Sequence, residues 1–206
     1  MVSKLDTAWN LFLEGKTSEA KKLVEQDFSI DTCTDFSLLN LMGYLLLAEK
    51  DYASCTRIFE KYILLAQQNE DKEHEHIGLH QLAMIYRDQG DFHKALKLIE
   101  DEEKIIEEHF PNDNLKKAIN NYEQGYVRLK LNNLDEALTF MNLSLEQSLE
   151  TDDVISQACS YRGLGEIYLA LEDRGLANSY FKRAIELFES VEEFEGIKEI
   201  EELINR

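Results

Sequence analysis

Apolar side chains recur along this chain at helical spacing, three or four residues apart, in runs that break at short polar turns and then resume. Residues 161–184, YRGLGEIYLALEDRGLANSYFKRA, show the unit most plainly. Tyr161, Leu164, Gly165 and Tyr168 share one face of a first helix, and Ala177, Phe181 and Ala184 the facing side of a second. The same offsets occur four more times upstream, so the chain reads as an array of one helix pair. Small residues at the matching places, Ala20, Cys55, Ala95, Ala137 and Ala177, lie 35, 40, 42 and 40 residues apart. They let paired helices approach closely while Leu, Tyr and Phe on neighbouring turns fill the gap. One pair cannot bury its apolar face alone, so neighbours must stack.

Five pairs are predicted, over about residues 3–28, 36–68, 72–109, 114–150 and 153–190, with a last helix over 193–205, all in one superhelical domain spanning 1–206. In the first, Gly15-Lys16-Thr17 makes the turn, with Thr17 or Ser18 to cap the second helix, and Ser29-Ile30-Asp31-Thr32 is a polar connector. The second carries Leu39, Met42, Gly43 and Leu46, then Asp51 as a cap before Cys55 and Phe59. The third carries Leu79, Leu82, Ala83 and Tyr86, the turn Gln89-Gly90-Asp91, and a second helix that must stop at Pro111. The fourth departs most. Gly125, Ala137 and Met141 hold its register, but Arg128 replaces the usual aromatic, and Asn133 with Glu136 predicts a capping box. Phe194, Ile197, Ile200, Leu203 and Ile204 give the last helix an apolar stripe to cover the open edge of the core.

Composition narrows the partners. Of 206 residues, 44% are hydrophobic and 31% charged, which permits a substantial core, and one proline with nine glycines argues against a turn-rich β-sandwich. The formal charge of −19, from 41 acidic and 22 basic residues, repels phosphate backbones and anionic headgroups, so no nucleic-acid or membrane partner is expected. Cys33, Cys55 and Cys159 are odd in number, form no CxxC, and read as reduced thiols of a cytoplasmic protein. The N-terminal apolar run is cut by Asp6 and Glu14 and is too short for a secretion signal; no stretch reaches the length of a membrane span.

Leu164, Gly165, Tyr168, Ala177 and Phe181, with Tyr161 in place of tryptophan, follow the pattern W-x2-L-G-x2-Y…A-x3-F, and Leu82, Tyr86 and Ala95 follow it in part. Over essentially its whole length the chain resembles a tetratricopeptide-repeat protein. The resemblance implies an all-α, right-handed α-solenoid of five helix pairs plus a C-terminal capping helix, and a role in holding another polypeptide. The later spacings exceed the usual repeat of about 34 residues. In this the chain is similar to the Gram-positive peptide-pheromone receptors, the Rap, Rgg, NprR and PlcR group. Those receptors carry an N-terminal output module. This chain enters its first repeat at once, with no room expected for one, so their DNA-binding and phosphatase activities are not carried over.

In proteins of this kind the stripe beside the pair-facing one lines a concave groove. Here that stripe is Leu5, Trp9 and Phe12; Asn40, Tyr44 and Leu47; His80, Met84 and Arg87; Tyr122, Tyr126 and Leu129; and Arg162, Glu166 and Leu169. The expected peptide-binding set is Asn40, Tyr44, His80, Met84, Arg87, Tyr122, Tyr126, Arg162 and Glu166. Asn40 offers a donor and an acceptor to a peptide backbone, Arg87 and Arg162 a fork for a carboxylate, and the tyrosines flat contact area. The leucines read as packing between units. Trp9 and Phe12 either end the groove or form a self-association patch. The chaperone-tail clamp of eukaryotic relatives needs Lys and Asn where this chain has Leu5 and Trp9, so that function is set aside.

No catalytic or cofactor motif emerges. His74, His76 and His80 lie in HEHIG and its flank, which is not HExxH, and read as a solvated helix start with no metal. Gly163-x-Gly165 lacks the third glycine of a dinucleotide loop, the place being Tyr168. The run Glu100-Asp101-Glu102-Glu103 is expected on the outer face of a long helix. The reading is a non-catalytic scaffold that captures a peptide or protein segment. Its alternatives are an intracellular sensor of a short signalling peptide, a regulatory subunit of an enzyme or transcription complex, and a homodimeric structural adaptor.

Overall fold

The computed structural model describes residues 3–205, and no strand occurs among them. Their α-helices run α1 Lys4–Leu13, α2 Thr17–Val24, α3 Phe36–Ala48, α4 Tyr52–Gln68, α5 Lys72–Asp88 and α6 Phe92–His109. They continue as α7 Asn114–Lys130, α8 Leu134–Leu149, α9 Val154–Ala170, α10 Arg174–Ser190 and α11 Phe194–Ile204. A 3-10 turn, Glu25–Asp27, finishes α2 before the polar connector. The fold is all-α, and its helix pairs stack as in an α-solenoid. The described residues divide into two compact units, 3–91 and 92–205.

Helix starts follow from aspartates. Asp35, Asp51, Asp71, Asp113, Asp153 and Asp173 each accept a hydrogen bond from the backbone N–H three residues on, satisfying a group the helix leaves open. Asp51, expected as a cap, accepts from Ser54 at 3.1 Å. Two other cap expectations fail. Lys16, not Thr17 or Ser18, stands at the start of α2 and makes no side-chain cap. Asn133 makes none either, and Glu136, the other half of the expected box, turns to Arg128.

Within each pair the turn places one residue in the left-handed region: Gly15, Lys50, Gly90, Asn132 and Glu172. Glycine adopts that conformation freely, whereas Lys50 and Glu172 carry a steric cost there. Pair contact then depends on small residues. A Cβ on Gly43 would lie 2.4 Å from the Phe59 ring, and one on Gly165 would lie 2.5 Å from Phe181.

In the first unit, Leu39, Leu41 and Leu45 of α3, Ile58, Phe59 and Tyr62 of α4, and Leu82 and Ile85 of α5 are buried. In the second unit one core cluster joins Ala137 and Met141 of α8 to Leu164 and Ile167 of α9. Another joins Ala158, Ala177, Phe181, Ala184 and Phe188 to Ile200 of α11. The apolar stripe of α11 therefore covers α9 and α10, with Gly196 giving way to the Phe188 ring.

Candidate functional site

In the first unit, Trp9 and Phe12 of α1 and Tyr44 of α3 form one aromatic cluster. Trp9 meets Tyr44 edge-on with centroids 6.0 Å apart, and Phe12 stacks on Tyr44 at 5.8 Å. The Trp9 indole N–H donates to Ser37 Oγ at 2.9 Å. Burial pushes the Tyr44 hydroxyl pKa up, partly offset by the side chains of Asn40 and Gln81. Asn40 Oδ1 is buried and accepts no hydrogen bond within the protein. His80, Met84 and Arg87 lie half-buried along α5, with Arg87 Nε 3.4 Å from Asp88.

The histidines ahead of them serve the fold. His74 stacks on Phe36 at 4.0 Å and sets Nδ1 2.9 Å from Asp71 Oδ2. His76 is buried, contrary to the expected solvated helix start, because α5 turns that face inward beside Gly78 and Leu79. Cys55 donates to the Gly43 carbonyl, and burial, aided by the charge of Asp51, pushes its thiol up to about 12.

In the second unit, Tyr122 and Tyr126 of α7 and Arg162 and Glu166 of α9 come together. The tyrosines stack at 6.2 Å, and Arg162 Nη2 donates to the Tyr122 hydroxyl at 2.6 Å. Glu166 lies 3.8 Å from Arg162 Nε and 3.6 Å from Lys130, whose ammonium sits 4.6 Å over the Tyr126 ring. Glu199 of α11 pairs with Arg162 Nη1. Burial works against the Arg162 charge, but Tyr122 and Glu166 outweigh it and hold the guanidinium cationic. Burial also raises the Tyr122 hydroxyl strongly. The expected free fork at Arg162 is thus engaged within the chain, because a charge this far from water requires partners.

Sequence reading missed the arrangement around Arg128. Its side chain, 9% exposed, bonds Glu136 of α8 at 3.0 Å, Glu100 of α6 at 3.1 Å and Gln124 Oε1 at 2.8 Å, and lies 4.1 Å over the Phe140 ring. Gln124 donates to Asn120, which donates to Glu102 and to the Ile99 carbonyl. The acidic run of α6 is therefore only partly an outer face: Asp101 pairs with the exposed Lys97 and Lys104, but Glu102 is 2% exposed and Glu100 is half-buried. Glu100 and Glu102 turn inward because α7 presents Arg128 and Asn120 to them. The departure from an aromatic at position 128 was the available signal. Glu199 gave none, standing among the acids between the apolar positions of α11.

Among the described residues, no group of three or more His, Cys, Asp or Glu is placed to hold a metal ion, and no helix is long and apolar enough to cross a membrane. Residues 117–190 match a tetratricopeptide-repeat family model, and residues 78–101 match a second. By sequence, no curated protein matches the chain. Among solved structures, BtubC (BKLC) from P. vanneervenii is similar with a TM-score of 0.72 at 16% identity, over 90% of this chain and 78% of that one. The nearly identical TPR-like repeats of a putative kinesin light chain from Podosopora anserina give 0.69 at 16% identity, over 91% and 94%. MamA, from residue 41 to its end, from Desulfovibrio magneticus RS-1 gives 0.62 at 16%, over 91% and 94%. At these identities the likeness is one of fold.

Proposed function

We propose that this chain, which matches tetratricopeptide-repeat models over residues 78–101 and 117–190, is a non-catalytic scaffold that captures a peptide or protein segment on its first-helix faces. One observation carries the reading. In each unit, successive first helices bring aromatic rings and hydrogen-bonding heads together: Trp9, Phe12 and Tyr44 beside Asn40 in one, Tyr122 and Tyr126 beside Arg162 and Glu166 in the other. Peptide sites combine such flat, rotamer-poor rings with a few fixed polar groups. Asn40 Oδ1, buried without a donor, favours a partner that brings a backbone N–H.

A short signalling peptide is the ligand that the long spacing of 40, 42 and 40 residues favours, by its likeness to the peptide-pheromone receptors. The partner is a polypeptide, since a charge of −19 disfavours nucleic acid and anionic membrane. Selection of a random peptide library on the full chain tests the reading. Selected peptides should bind Tyr44→Ala or Tyr122→Ala at least about tenfold more weakly, as loss of a buried aromatic anchor implies. They should bind Asn142→Ala, on the exposed side of α8, as tightly as the parent. Peptides indifferent to both tyrosines would refute it. Elution at twice the monomer mass, returned to monomer by Trp9→Asp, would favour the homodimeric adaptor instead.

A further inference from the structure

Tyr122, Arg162 and Glu199 come from α7, α9 and α11 and form one line of contact. The two ends of the Arg162–Glu199 pair are unlike. Arg162 is built in: its side chain is 15% exposed, Tyr122 holds one nitrogen, and its Nε is buried without a hydrogen bond, Glu166 standing 3.8 Å away. That separation is too long for a hydrogen bond. Glu199 is loosely held, with 52% of its side chain exposed. Glu166 already has Lys130 as a second cation. Arg162, Lys130, Glu166 and Glu199 balance in charge, so without Glu199 the cluster has room for one anion.

The pair is not needed to dock α11. Ile200 is fully buried in the core of α9 and α10, and Gly196 lies against Phe188, so packing holds the helix. Exposed ion pairs add little to such an anchor.

We propose that Glu199 is an internal stand-in for a carboxylate of the captured segment. The partner brings an acid to Arg162 and Tyr122, and Glu199 turns into water to admit it. The proposal rests on the first-helix faces being the capture surface, and it names the partner's chemistry: a carboxylate, from an acidic side chain or from a chain terminus. A planar guanidinium with one nitrogen fixed and another unpaired suits such a group.

Three small probes test it on the full chain: N-acetyl-leucine with its terminal carboxylate, N-acetyl-glutamate α-amide with only a side-chain carboxylate, and N-acetyl-leucine amide with neither. Binding is followed by the Arg162 Nε–H resonance. Glu199→Gln should bind at least one acid about tenfold more tightly than the parent, the size of one charge-assisted contact released from competition. Glu199→Asp should fall between, the amide probe should not bind, and Arg162→Lys in the Glu199→Gln background should lose the gain. The preferred acid tells a chain terminus from a side chain. Equal affinities for the parent and Glu199→Gln, or equal binding of the amide probe, would overturn the stand-in. That failure leaves the library selection untouched. Acid binding at Arg162 with no peptide selected would instead isolate the failure in the capture reading.

Discussion

In the pair α9–α10, Tyr168 stacks on Tyr180 with centroids 5.3 Å apart; in α7–α8, forty residues earlier, Arg128 lies 4.1 Å over the Phe140 ring. The two positions present the same problem, a flat group laid against a ring beside a tight glycine contact. One pair answers with a phenol and the other with a guanidinium plane. The second answer is admissible only because Glu136, Glu100 and Gln124 supply acceptors. It also changes what is held together, since Arg128 ties α6, α7 and α8 through one side chain. The lesson is that the small residues set the packing geometry and the large position tolerates either chemistry once its hydrogen bonds are met.

Breaking the apolar version should have the largest effect. Phe181→Ala, deleting a fully buried ring, should cost about 3–5 kcal/mol and expose α10 amides to hydrogen exchange first. The swap is asymmetric. Tyr168→Arg puts a cation where the positions matching Glu136 and Gln124 are Leu176 and Leu164, and should cost about 2–4 kcal/mol by urea titration. Arg128→Tyr should cost about 1–2 kcal/mol, because Glu100 and Glu136 can turn to water and only Gln124 loses a buried partner. That cost should shrink in high salt, as the Phe181→Ala cost should not. If the two swaps cost the same, the acceptors around Arg128 are incidental.

The turns offer a smaller test. Glu172→Gly should stabilise the fifth pair by up to about 1 kcal/mol, and Asn132→Gly the fourth by less, since asparagine tolerates the left-handed region. Smallest are the effects of pH. Burial raises the Cys55 thiol to about 12, above its unfolded value, so its contribution is full below the unfolded pKa and lost as pH rises toward about 12. Iodoacetamide at mildly alkaline pH should therefore leave Cys55 unmodified until the first unit unfolds, as mass spectrometry would read. The helix-start aspartates run the other way. Asp51 is held low by Ser54 and Asp71 by the His74 backbone N–H, so their stabilisation is present at neutral pH and lost as pH falls below the usual carboxylate range.

The helix register was legible because it depends on residues close in sequence whose size alone matters. Gly43 facing Phe59 and Gly165 facing Phe181 need no knowledge of distant partners. The same periodicity brought Tyr122, Tyr126, Arg162 and Glu166 onto adjacent helices. What could not be read depends on who else arrives. Arg128 meets Glu100 from another pair, and Glu199 reaches Arg162 across 37 residues. Lys50 and Glu172 adopt glycine's conformation without glycine's signature, because the stacked helices impose the turn. The expected box at Asn133 did not form, and Glu136 bonds Arg128 instead.

The six aspartates that begin helices bear on how the chain's acidity should be understood. Each takes a negative charge to the amino end of a helix, where the backbone dipole welcomes it. A longer array would grow more anionic with every added rod begun this way, whatever it grips. Part of the −19 is therefore a by-product of counting helix beginnings, and the local sign beside Arg162 and Lys130 is a better guide to a guest than the total.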